Sequence, residues 1–289
     1  MTHDAVTKLK AALSRVEGER FQVSCEGAVA FAPEDEGARC AWRTGVDAID
    51  TCLPRGGLAR AGLHEIEPLK PDDMPSLTGF AFALLCRLGS ARPIIWCVTA
   101  RQIGDYGQPY AFGLSRFGLS SAQIVFVKVA REKDLPFALE EAIKTKGVAA
   151  VLGEGARPDL TGSRRLALLC KTHQTPCLFM SPHKDGNRGS AALTRWEITP
   201  QMGLEDPRDP FGPGLSSWLV ALPRARGGRT LPGLEGSELS NPSISYPWRI
   251  VWDEQTHSFC SASLFSDRAA PHGGTKIQPA PETILGKTG

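Results

Sequence analysis

The stretch "RTGVDAIDTCLPRGGLARAGLHEIEPLKPDDMPSLTGFAFALLCRL", residues 43–88, decides how this chain is read. "GLHEIE" is strand-like, and "SLTGFAFALLCRL" is apolar on nearly every face, which predicts a buried helix. Strand, loop and helix in this order are the layout of a nucleotide-binding unit. A working phosphate loop needs glycines whose N–H groups curl round the phosphates, a lysine on the outer phosphates and a Ser/Thr hydroxyl for magnesium. The loop here, "PLKPDDMPSLTG", has three prolines, no glycine before Gly79 and no Gly-Lys-Ser/Thr. Prolines remove the donors that the cradle requires. Asp72 and Asp73 put negative charge where the helix start would receive a phosphate. Lys70 and Thr78 are the residues left to a degenerate site.

Outward from this stretch, short apolar runs alternate with helical patterns, which implies parallel strands joined by crossover helices. "PIIWCVT", "AQIVFVKV", "VAAVLGE" and "TPCLFMSP" are the further strands. "YAFGLSRFGL", "DLPFALEEAIKTKG" and "LTGSRRLALLCKTH" are the helices between them. The strands are continuous apolar runs, so the sheet is expected to be covered on both faces. After Pro182 the pieces "AALTRWEITP", "SSWLVALPRARGG", "YPWRIVWD" and "SFCSASLF" follow without helices, predicting an antiparallel finish. Three segments are expected: a helical N-terminal arm over 1–41, a core over 42–265 and a disordered tail over 266–289. In the arm, Val6, Leu9, Leu13 and Val16 form one apolar stripe, which packs on its own core or docks on a partner.

The 289 residues, 42% hydrophobic and 22% charged with a net charge of +2, exclude wholesale disorder and a strongly basic DNA-binding module. The eight cysteines form neither a C-x-x-C pair nor a zinc-spaced cluster, so no structural metal is expected. Cys86, Cys97 and Cys177 lie inside apolar runs and read as small core hydrophobes. The charged N-terminus lacks a signal-peptide core and no run suits a membrane span, which makes a cytoplasmic protein the expectation.

The words "TGVDAID…LPRGGLARAGLHEIE" and "YAFGLSRFGL", with the "RARGG…W.IVWD" ending, resemble the bacterial RecA core. Within that superfamily the chain is similar to the ImuA family, inducible mutagenesis protein A. The resemblance implies an α/β fold with a RecA-like central, mostly parallel sheet flanked by helices. It also points to the stations of ATP hydrolysis, and these are defective. "VTARQIG" has no water-activating Glu after the second strand, Asp105 coming several residues too late. At the end of the fourth strand "VLGEG" offers only Glu154, displaced by one position, which either rescues metal binding in the degenerate nucleotide site of Lys70 and Thr78 or is a solvated strand-end residue. No cofactor and no enzymatic activity are expected.

The implied role is that of a non-catalytic accessory factor for damage-induced, error-prone translesion synthesis. Its implied partners are a Y-family-like protein of the ImuB type, an error-prone replicative-type polymerase and RecA, with single-stranded DNA as a further candidate. The rivals are an active RecA-type recombinase and a SulA-like division inhibitor. RecA-like proteins line DNA with the loops after the fourth and fifth strands, here carrying Arg157, Arg164 and Arg165, then His183, Lys184 and Arg188. Residues 155–229 hold eleven Lys/Arg against six Asp/Glu. Arg164 and Arg165 read equally as a solvated helix face, and Arg224, Arg226 and Arg229 form an alternative contact for DNA or an acidic partner. His64 reads as a hydrogen-bonded structural histidine. Asp134, Glu140 and Glu141 read as an exposed helix face with i,i+4 pairs to lysines. Trp196, Trp218, Trp248 and Trp252 read as core packing or as a base-stacking platform.

Overall fold

A computed structural model describes residues 10–11, 42–108, 110–182, 189–206, 208–228 and 247–262. The arm stripe, the tail, His183, Lys184, Arg188 and Arg229 lie outside the described residues. The chain enters at Trp42, which forms a bridge with Leu58 and donates its indole N–H to the Leu84 carbonyl at 2.8 Å. Between them a single turn of helix, α1 (Asp47–Asp50), is folded over its own start. The Asp50 carboxylate accepts from the Thr44 N–H and hydroxyl and from the Gly45 N–H, at 2.8–3.0 Å. With the Trp42 bond to Leu84, this turn clips the entry segment onto the buried helix that follows β1.

Nine strands form one sheet among the described residues, in the order β3-β2-β4-β5-β1-β6-β7-β8-β9. The parallel strands are β1 (Leu63–Pro68), β2 (Ile94–Thr99), β3 (Ile124–Val129), β4 (Ala150–Glu154), β5 (Cys177–Met180) and the start of β6 (Thr194–Leu204). Antiparallel pairing then joins β6 to β7 (Leu215–Ala225), β8 (Trp248–Asp253) and β9 (Ser258–Ser261). The expected α/β architecture, mostly parallel and closed by hairpin-connected strands, is thus observed.

Successive side chains of a strand point to opposite faces, and both faces are covered here. On one, α2 (Met74–Cys86) buries Leu77, Phe80 and Leu84 against Ile66, Trp96, Leu152, Trp196, Trp218 and Trp252. On the other, α5 (Leu135–Lys144) and α6 (Leu160–His173) cover Ile95, Cys97, Val151 and Phe179. Trp196, Trp218 and Trp252 are core residues and Trp248 is half-buried, which agrees with core packing. Burial pushes the Cys97 thiol up to about 12, as suits an inert packing residue. Two short helices follow β2: α3 (Ala100–Tyr106), which the sequence did not announce, and α4 (Ala111–Arg116). Among the described residues no helix is long and apolar enough to cross a membrane, and no cluster of three metal-ligating side chains occurs.

Candidate functional site

β1 runs straight into a 3-10 turn at Pro71–Asp73 and then into α2, so the connection at residues 69–73 is five residues long, with one proline and no glycine. Lys70 is exposed at the start of that turn. Thr78 donates its hydroxyl to the Met74 carbonyl at 3.2 Å, a bond inside its own helix. No side chain caps α2, and Pro75 occupies its first turn.

Beside this connection lies a cavity of about 490 Å³, walled by α2, the α3–α4 segment and the β6–β7 pair. Thr78 and Glu154 both line it, and Lys70 does not. Strand alternation explains the placement of Glu154. Leu152 packs under α2, so Glu154 two residues on points to the same side, while the Gly153 Cα faces Phe179 and Leu139 on the other.

The expectation of a solvated Glu154 is corrected: the residue is 4% exposed, because α3 and the segment after it fold over the strand end. Burial raises its carboxyl to about 7. The Trp96 indole N–H leans toward it and pulls slightly downward, without closing a hydrogen bond of normal geometry. Tyr106 stands in the same wall, its hydroxyl donating to the Pro71 carbonyl at 3.2 Å. Burial, Asp105, Asp72 and Glu154 all raise the phenol, and Arg101 opposes them.

The basic residues divide differently from expectation. Arg157 is not a surface phosphate contact. Its side chain is buried against Glu67, which it ion-pairs directly, with Glu65 at 3.9 Å. Arg195, directly across from Glu65 in the parallel register, chelates Glu65 with Nε and Nη2 at 3.2 and 3.1 Å. The Ser190 hydroxyl completes the group by donating to Glu65. Glu65 and Glu67 share a face of a strand buried on both sides, so each carboxylate requires a cation beside it. The sequence signal was two carboxylates alternating within an apolar parallel strand. Their partners, Arg157 and Arg195, are remote in sequence.

Arg224 and Arg226 both donate to the Ser190 carbonyl, at 3.0 and 2.6 Å. Burial, with repulsion from Arg195 and Arg226, lowers the Arg224 guanidinium. Arg164 and Arg165 are exposed on α6, and Arg165 pairs with Glu140 of α5 at 2.7 Å. The expected i,i+4 lysine face on α5 is therefore replaced: Glu140 is buried under Arg165, Glu141 pairs with Lys144 at i+3, and Asp134 pairs with Arg131. His64 is structural, as expected. A carbonyl only accepts, so its Nε2–H donates to the Ala59 carbonyl at 2.9 Å, and Nδ1 takes the Thr194 hydroxyl proton at 2.8 Å. The Trp196 indole N–H donates in turn to that hydroxyl.

No protein-family model matches the chain. Two curated relatives, each named Protein ImuA and coming from two strains of Caulobacter vibrioides, are 31% identical over 236 residues. The match covers 75% of this chain and 91% of each relative.

Proposed function

Because the chain belongs to the ImuA family, we propose that it serves damage-induced mutagenesis as a non-catalytic accessory factor, engaging protein partners through a RecA-like surface without consuming ATP. The observation that carries the reading is the β1–α2 connection. Its five residues and flanking prolines supply no cradle of N–H donors, Asp72 and Asp73 stand at the helix start, and the Thr78 hydroxyl is committed to its own helix. A factor of this kind acts by assembling others. A Y-family-like protein, an error-prone replicative-type polymerase and RecA are the partners proposed, in the cytoplasm. Of the proposed single-strand DNA contacts, Arg164, Arg165 and Arg226 are the exposed ones among the described residues, while Arg157 is a buried structural cation.

The purified protein is expected neither to turn over ATP nor to melt higher with Mg-ATP. Ligand at a hundred times its dissociation constant stabilises a fold by about 2.7 kcal/mol, a shift of roughly 5–10 °C at this size. A shift of that order abolished by Lys70→Ala, or DNA-stimulated turnover, would overturn the reading. Capture of the polymerase subunits or RecA from damaged cells would support it.

A further inference from the structure

The structure assigns the cavity beside Glu154 as a receptor for an organic cation, and we propose that its occupant is the arginine side chain of a protein partner. Among the described residues Glu154 is the one carboxylate lining the cavity, and no ion pair reaches it. An ionised carboxylate in such a place is stabilised by a cation, and none pairs with it among the described residues. Arg116, the one basic side chain among the described lining residues, is held elsewhere. Its Nε and Nη2 grip the Glu254 carboxylate at 2.6–3.0 Å.

The walls suit a guanidinium. Phe82, Trp96, Tyr106, Tyr110, Phe117 and Trp218 all face the space. Aromatic faces attract cations, and a planar guanidinium stacks on rings while presenting a fork to a carboxylate. The surroundings add the same sign: Asp72 and Asp105 act on the Tyr106 phenol together with Glu154, opposed by Arg101. At about 490 Å³ the cavity also exceeds a lone side chain, leaving room for the backbone that delivers it. Tyr110 and Phe112, each 70% exposed and in tilted ring contact with centroids 5.1 Å apart, offer an apolar ledge to residues flanking the arginine. A free small cation would leave that ledge uncovered, whereas a peptide covers it.

The source of the arginine rests on the accessory-factor reading; the site itself does not. ATP turnover would defeat that reading, and the following experiment tests the site separately. Trp96 and Trp218 line the cavity, so their fluorescence reports occupancy. The probes are the blocked peptides acetyl-Leu-Arg-Leu-amide, its lysine counterpart and its citrulline counterpart, the last being a neutral isostere of arginine. The arginine peptide is expected to bind at least tenfold more tightly than the citrulline peptide, with lysine between. Glu154→Gln, folded as judged by its melt, is expected to abolish that discrimination. Tyr110→Ala, at the exposed rim, is expected to weaken the arginine peptide several-fold.

Affinity is expected to fall from pH 8 to pH 6 in the natural protein and to stay level in Glu154→Gln, because the carboxylate and not its acid attracts a cation. Equal binding of the arginine and citrulline peptides, no binding at millimolar peptide, unaltered discrimination in Glu154→Gln, or displacement of the arginine peptide by adenosine would each overturn the proposal.

Discussion

Glu154 and His64 are both nearly excluded from water, and burial moves them in opposite directions. It raises the carboxyl to about 7 and pulls the imidazole down to about 4, the latter against a smaller upward pull from the bond to the Ala59 carbonyl. As pH falls from 7 toward 4.5, the folded chain takes up a proton at Glu154 before the unfolded chain does, which stabilises the fold. As pH falls below 6.5, the unfolded chain takes up a proton at His64 that the folded chain refuses, which destabilises it. The two slopes overlap and largely cancel. Glu154→Gln removes one of them, so its stability is expected to drop by about 2 kcal/mol between pH 7 and pH 5, at about 1.4 kcal/mol per unit below 6.5. The natural protein is expected to change little over that range. Urea unfolding at the two pH values measures the difference, and an equally flat response in Glu154→Gln would refute the opposed-pair account.

At the scale of the element, β4 illustrates how one position decides two faces. Gly153 leaves room for α5: a Cβ there would lie 2.8 Å from the Phe179 ring and 2.9 Å from Leu139. Gly153→Ala is therefore expected to overpack this contact and lower stability by about 1–3 kcal/mol, read from a shifted denaturant midpoint at unchanged slope. A neutral result would mean that the helix yields. The main strands and helices were legible because their apolar runs are long, although the cap of α6, the Asp159 side chain accepting the Gly162 N–H, was not singled out. Helix α3 was not legible. Its "ARQIGDY" buries a polar residue, Gln102, and brings just two apolar side chains, Ile103 and Tyr106, partly against the core, and its cap, Thr99, reads as the last residue of a strand. Glu154 was misread for a related reason. Nothing local to "VLGEG" reveals that Tyr106, 48 residues earlier, closes over it. The Glu65–Arg195 and Glu67–Arg157 pairs span 130 and 90 residues, beyond the reach of any periodicity.

Across the whole molecule, α2 unites the two halves of the sheet. Phe80 touches Trp196, Trp218 and Phe259 with centroid separations of 5.5–6.1 Å, so the parallel and antiparallel strands share one core. The cavity beside Glu154 draws its walls from both halves and depends on that union. The arrangement also fixes which predicted contacts are testable on a folded protein. Arg164 and Arg226 are exposed and can be altered singly, whereas removing Arg157 would leave buried Glu67 with Arg195 alone, at 3.9 Å, a loss of up to about 3–5 kcal/mol.

The central strand has a history in time as well as a place in space. β1 is made first among the nine, yet its neighbours β5 and β6 come more than a hundred residues later. At about 5–20 residues per second, roughly 6 to 26 s separate the synthesis of Glu65 from that of Arg195. During that wait a sticky segment leaves the ribosome unaccompanied, and Glu65 and Glu67 give it the charge that discourages premature pairing. Replacing Glu65, Glu67, Arg157 and Arg195 together by leucine removes the whole buried ion-pair group while keeping the interior apolar, a change folded proteins often tolerate. Such a chain is expected to melt no lower once folded but to yield several-fold less soluble product when translated without chaperones. An unchanged soluble yield would show that the carboxylates serve the finished protein alone.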